Sequence, residues 1–132
     1  MTGKDIYDLA AQLIGVTNAD GSDNPDSEDL VSRSCGIINI LLSENLPLDR
    51  ALKGDRTAEA ESITALSDAV LCHGLIACAV LPYGLASLLI AGEDAVLSRK
   101  LQDCYFLSRN QIMSSVSGRR HEIEDSYRAY AY

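Results

Sequence analysis

Apolar residues recur along the chain with a helical period. Ile6, Leu9, Ala10, Leu13 and Ile14 fall on the i, i+3, i+4, i+7, i+8 template, which predicts a first amphipathic helix. Thr2 is placed to cap its start, and Gly15 suits the left-handed position that ends it. A second helix follows, with Leu30, Ser34, Ile37 and Leu41 on one ridge and Val31, Cys35, Ile38 and Leu42 on the next, ending at Asn45 and Pro47. Gly36 within it costs about 1 kcal/mol in helix propensity, so a close approach by another helix is expected there. A last long helix turns Leu97, Leu101, Cys104, Tyr105 and Ile112 inward and Arg99, Lys100, Asp103 and Arg109 outward.

Between these helices lies "AVLCHGLIACAVLPYGLASLLIAG", residues 69–92, without a formal charge. At about 1.5 Å per residue it is long enough to cross a bilayer. Three features favour a buried core instead. Asp68 and the Glu93–Asp94 pair flank it, so no positive-inside signal is present. His73, Gly74, Pro82 and Gly84 interrupt it. The amphipathic helices also need a partner for their stripes, and a helix apolar all round supplies one. Pro82 cannot donate to the carbonyl four residues back, so a kink is expected near Ala79–Tyr83. Two segments are predicted, about 68–81 and 83–91, with Ser67 as cap and Asp68 in the first turn. Residues 46–62, "LPLDRALKGDRTAEAES", are charged and weakly periodic and read as a mobile surface loop. The predicted fold is all-α. It is a compact bundle of four to five helices around a central apolar helix kinked near Pro82, with the mobile 46–62 loop and an extended C-terminal tail. Residues 1–116 form the helical domain and 117–132 the tail.

Composition adds three constraints. A chain of 14.2 kDa with no Trp and one Phe must build one domain on an aliphatic core. Residues 1–68 hold thirteen acids against five bases, whereas 69–132 hold six of each, so the net charge of −8 sits in the front half. Such a surface keeps a protein dispersed and repels phosphate backbones, which argues against nucleic-acid binding. Cys35, Cys72, Cys78 and Cys104 form no C-x-x-C pair and have apolar neighbours, as expected of buried free thiols in a reducing compartment. The opening "MTGKDIYDLAAQ" has acids where a signal peptide needs an apolar run.

Candidate chemistry is sparse. "TNADGSDNPDSED" resembles a calcium loop, but starting the register at Asn18 puts Asp23 at the required glycine, and starting at Asp20 puts Pro25 there. A solvated turn leading to Asn24 as cap and Pro25 at the first helical position fits better. His73 lies in the apolar stretch with no carboxylate near it in sequence and reads as a satisfied core histidine. His121 stands beside Arg119 and Arg120, which disfavour its imidazolium. No G-x-S-x-G, Walker or G-x-G-x-x-G pattern occurs. The expectation is a non-enzymatic protein without cofactor or metal. The most suggestive polar segment is "GRRHEIEDSYRAYAY". Its Arg119, Arg120, Tyr127, Arg128, Tyr130 and Tyr132 are residue types that anchor interfaces. A frayed terminus and a docking arm ordered by a neighbouring subunit are the two readings of it.

In order along the chain, "KDIYDLAAQLIGV", "INILLSEN", "ITALSD", "LPYGLASLLIAGED" and "EIEDSYR" resemble the short all-helical head–tail connector (adaptor) proteins of tailed bacteriophages and prophages. The likeness spans most of the chain except 46–62 and the last residues. It implies a structural subunit in a homo-oligomeric ring beneath the portal, contacting the portal and neighbouring connector or tail proteins. No catalytic residue, nucleic-acid specificity or membrane role comes with it. The implied location is the bacterial host cytoplasm during assembly and then the virion neck. Two alternatives from other classes are a small acidic helical protein-binding or regulatory domain and a holin-like membrane protein.

Overall fold

The computed structural model describes residues 1–16 and 28–131, with side chains described as far as residue 116. The segment 17–27, which holds most of the calcium-like loop together with Asn24 and Pro25, lies outside the described residues. The described chain is all-α, with six helices: α1 (Gly3–Ile14), α2 (Glu28–Glu44), α3 (Leu46–Lys53), α4 (Gly74–Ala79), α5 (Leu81–Ile90) and α6 (Ala95–Ala131). Among the described residues the single β-type contact is an isolated bridge between Thr2 and Ala69.

Helix α1 starts and stops as its sequence predicts. The Asp5 N–H donates to Thr2 Oγ1 at 3.2 Å and the Thr2 N–H returns a bond to Asp5 Oδ2 at 2.8 Å, a reciprocal capping box. Gly15 sits at φ 73° and donates to the Ala11 carbonyl. The buried face, however, is rotated from the expected one. Ile6, Tyr7, Ala10 and Ala11 are buried, whereas Leu9 and Leu13 are 38% and 37% exposed. The apolar residues of this helix cover more than one stripe, so periodicity alone admits two orientations.

Helix α5 is the centre of the fold and packs on α1, α2, α4 and, most extensively, α6. All of its residues except Tyr83 and Leu88 are buried. The break expected near Pro82 is present. Val80, at φ −112° and ψ −55°, separates α4 from α5, and Pro82 occupies the first turn of α5, where its missing N–H costs nothing. The helix before the break is shorter than predicted, beginning at Gly74 instead of 68. Residues 66–70 are committed elsewhere: Gly3 N–H donates to Asp68 O, Lys4 N–H to Leu66 O, and Val70 N–H to Met1 O, at 3.1, 2.7 and 2.9 Å. Ser67 therefore caps no helix and Asp68 lies in no first turn; the Asp68 carboxylate instead accepts the Thr64 and Ala65 N–H groups. No helix among the described residues is long and apolar enough to cross a membrane.

The mobile 46–62 loop is the largest correction. Its first half is α3, started by Pro47 in the first turn and closed by Gly54 at φ 68°. The remainder is tied down by side chains that bond to backbone. Arg50 Nε donates to the Ala58 carbonyl at 2.7 Å. Asn39 clamps the Ile63 peptide from both sides, accepting its N–H at 2.8 Å and donating to its carbonyl at 2.9 Å. Each such bond is worth about 1 kcal/mol, enough in sum to hold a strap that has no periodicity of its own.

Two glycines have opposite meanings. A Cβ on Gly84 would lie 3.0 Å from the Tyr105 ring and 3.1 Å from Leu41, so the α2–α5–α6 approach uses its missing side chain. Gly36, expected to do the same in α2, is exposed with nothing within 4 Å of its Cβ position. Gly36→Ala is therefore expected to stabilise the protein by about 0.5–1 kcal/mol, since only the backbone entropy of the unfolded chain changes. A thermal melt should show a midpoint raised by about 3 °C; an unchanged or lowered one would contradict the assignment.

Candidate partner-binding surface

Helix α6 is the longest element, and 37 residues at about 1.5 Å each make a rod of roughly 55 Å. Its start is fixed by Asp94, whose carboxylate accepts the Leu97 N–H at 3.0 Å. Ser98 Oγ donates to the Ser87 carbonyl at 2.8 Å and Arg33 to the Leu89 carbonyl at 3.4 Å, so carbonyls at the end of α5 are satisfied from α6 and α2. Leu101 and Tyr105 are buried against the body and Leu97 and Ile112 half-buried, as the sequence predicts; Cys104 is exposed.

A polar cluster sets how α6 lies on the α2–α3 junction. The Tyr105 hydroxyl donates to Glu44 Oε1 at 2.6 Å and accepts from Asn45 Nδ2 at 3.0 Å. Asn45, fully buried, also donates to the Leu41 carbonyl at 2.8 Å, completing the end of α2. Arg109, predicted to face solvent, reaches back to the Glu44 carbonyl at 3.2 Å. Burial, and then the Glu44 carboxylate beside it, push the Tyr105 hydroxyl from its ordinary 10.0 up to about 12. Its proton is therefore held through physiological pH, and the hydroxyl acts as a fixed donor.

Beyond this cluster an open groove of about 500 Å³ runs between α3, α4 and α6. Leu52 comes from α3, Leu75 and Ala79 from α4, and Ser108, Ile112 and Val116 from α6, with His73 at one wall. Leu75 is 51% exposed, so the groove shows apolar surface to solvent. His73 caps α4: its Nδ1 accepts the Leu75 N–H at 3.2 Å, and its backbone N–H donates to Asp49 Oδ1 at 2.7 Å. Asp49, 5% exposed, pairs with Lys53 at 3.0 Å, and the same ammonium donates to the Leu71 carbonyl at 2.8 Å. A smaller cavity of about 250 Å³ lies beside this pair, lined by Asp49, Lys53, Cys72 and the acidic strap residues Glu59 and Glu61. Among the described residues no group of three His, Cys, Asp or Glu is placed to hold a metal ion.

The cysteines divide differently from the expectation of four buried thiols. Cys78 and Cys104 are exposed, because the faces of α4 and α6 that carry them point away from the core; Cys35 and Cys72 are half-buried. Burial, reinforced by Asp49, raises the Cys72 thiol to about 11. At pH 8 only about one Cys72 in a thousand is then thiolate. Labelling with a disulfide reagent at that pH is expected to modify Cys78 and Cys104 first and Cys72 last. Reaction of Cys72 with the fast pair would contradict this environment.

The candidate contact residues Arg119, Arg120, Tyr127, Arg128 and Tyr130 all fall on the backbone of α6, which stays helical to Ala131 where an extended tail was predicted. Helix continues because residues 117–131 contain no proline and only Gly118 as a weak former. Their side chains, and Tyr132 entirely, lie outside the described residues. The groove that ends at Val116, one residue before this segment, gave no signal in the sequence, since its walls come from three separated helices. Compared with protein-family models, curated proteins and solved structures, the chain matches none of them.

Proposed function

We propose that this protein is a non-enzymatic structural subunit of a tailed-phage or prophage particle, a head–tail connector that joins the portal to the tail. The observation that carries the reading is the ordered likeness of "KDIYDLAAQLIGV" through "EIEDSYR" to short helical connector proteins. The 37-residue α6 supports it, because its last turns carry the Arg- and Tyr-rich segment on a rod beginning in the body. In this role several copies form a ring on the portal, and Arg119, Arg120, Tyr127, Arg128, Tyr130 and Tyr132 contact the portal or the next connector. Assembly takes place in the bacterial cytoplasm and the product sits in the virion neck. The acidic front half suits a channel through which DNA passes without adhering.

The test is co-sedimentation of the purified chain with a purified portal ring. The reading expects a stoichiometric complex that is lost when residues 117–132 are deleted. Absence of binding to the portal by the full-length chain would overturn it. A second reading, a small acidic protein-binding or regulatory domain, is favoured by the apolar groove between α3, α4 and α6.

A further inference from the structure

The strap of residues 54–62 runs between two firm ends. At one, Gly54 closes α3 at φ 68° and the Asp55 N–H donates to the Arg50 carbonyl at 3.1 Å. At the other, Ile63 is buried, its peptide is held from both sides by Asn39, and its carbonyl also accepts the Cys35 thiol at 3.3 Å. What lies between is held lightly. None of these residues is buried, and only Ala58 and Ala60, with one methyl each, are half-buried. Thr57 bonds inside the strap, its N–H and hydroxyl donating to Asp55 Oδ1 at 2.9 and 2.7 Å. Among the described residues one hydrogen bond ties the middle of the strap to the body, from Arg50 Nε to the Ala58 carbonyl. The strap also has a space beside it. Asp55, Glu59 and Glu61 share the wall of the cavity of about 250 Å³ with Asp49, Lys53 and Cys72 of the body. A segment that borders a void gives up little packing when it moves, because part of its inner face has no atoms against it.

We propose that residues 54–62 are a lid, hinged at Gly54 and just before Ile63 and latched by Arg50, which opens the cavity while the helices stay folded. Glycine supplies the backbone freedom of the first hinge. The swing is bounded, because the Asn39 clamp fixes the far end. Opening releases one hydrogen bond and uncovers two alanines, far less than unfolding the core around α5 requires. It bares the Cys72 thiol and the Asp49–Lys53 pair. Asp49 accepts the His73 N–H and Lys53 donates to the Leu71 carbonyl. A solute admitted by the lid therefore meets the groups that hold the start of α4.

This inference stands apart from the connector reading, since thiol labelling is indifferent to portal binding. The probe is a disulfide reagent on the full chain carrying Cys78→Ser and Cys104→Ser, which removes the two exposed thiols. Cys72 then reports on the cavity, and Cys35, bonded to the Ile63 carbonyl, on the fixed end of the lid. Below the unfolding transition the Cys72 rate is expected to stay nearly flat as urea is added, because local opening exposes little surface. Arg50→Met keeps the stem and removes the donor, and is expected to raise the Cys72 rate about fivefold, the factor one ordinary hydrogen bond represents, with Cys35 unchanged. Arg50→Gln places an amide nitrogen where the Nε stood, so it should bring the rate back toward the parent. The comparison of Met with Gln isolates the donor, both being uncharged. A Cys72 rate that climbs with urea in step with Cys35 would overturn the lid. So would an Arg50→Met chain labelled no faster than its parent, one in which both thiols speed up alike, or an Arg50→Gln chain as fast as Arg50→Met.

Discussion

Replacing Asp49 with alanine is expected to cost about 3 kcal/mol, a large part of the roughly 5–15 kcal/mol that holds a domain of this size. The side chain is buried at the point where α3, the strap and the start of α4 meet. One oxygen accepts the His73 N–H and the other faces the Lys53 ammonium. Truncation leaves a half-buried N–H and an ammonium without their acceptor, and desolvation of both is then uncompensated. Lys53 is itself one-third exposed and keeps its bond to the Leu71 carbonyl, which is why the cost falls at the low end for a buried pair. Asp49→Asn retains an oxygen for His73 and is expected to lose only about 1–2 kcal/mol. Denaturant unfolding measures both, and limited proteolysis should cut Asp49→Ala first within residues 54–62. An alanine variant within about 0.5 kcal/mol of wild type, in the range of an ordinary surface substitution, would show that the pair does not anchor the strap.

Tyr105→Ala is expected to be the most damaging single change, about 3–5 kcal/mol, because it empties the space between Gly84, Leu41 and α6 and removes the Asn45 and Glu44 bonds together. Tyr105→Phe keeps the ring and should cost about 1–2 kcal/mol. The two contributions separate by pH. In the folded state the hydroxyl holds its proton up to about 12, whereas in the unfolded chain it loses it near 10. Its folded value is the higher one, so the folded state binds more protons between those limits. The stabilisation is complete below pH 10 and is lost as pH rises toward 12. Unfolding midpoints taken at pH 7, 10 and 11 should therefore show wild type falling toward Tyr105→Phe. A gap that stays constant, or widens, across that window would contradict the buried donor.

The sequence was most legible where one local signal decides the conformation. Thr2 and Gly15 define α1 because cap chemistry involves neighbours three or four residues apart. Pro82 locates the break at Val80 because a missing N–H acts whatever surrounds it. What depends on a distant partner was not legible. Leu9 and Tyr7 compete for the core face of α1, and α5, lying on the Tyr7 side, decides between them. Helix α3 has too few residues to carry a convincing period and is held by Asp49 and Leu48 against elements remote in sequence. The Asn39–Ile63 clamp spans 24 residues, and no spacing rule anticipates such a bond. The groove was invisible for the same reason: of the residues bordering it on α6, only Ile112 is expected from the sequence to face inward.

The most direct test of the account is hydrogen exchange of the full chain in detergent-free buffer, read peptide by peptide. If the uncharged stretch is the centre of a helical domain wrapped by α1, α2 and α6, amides of Leu81–Ile90 must be the slowest to exchange and must open only with global unfolding. Exchange of that helix at the rate of residues 54–62, or protection that appears only when lipid or detergent is added, would contradict it.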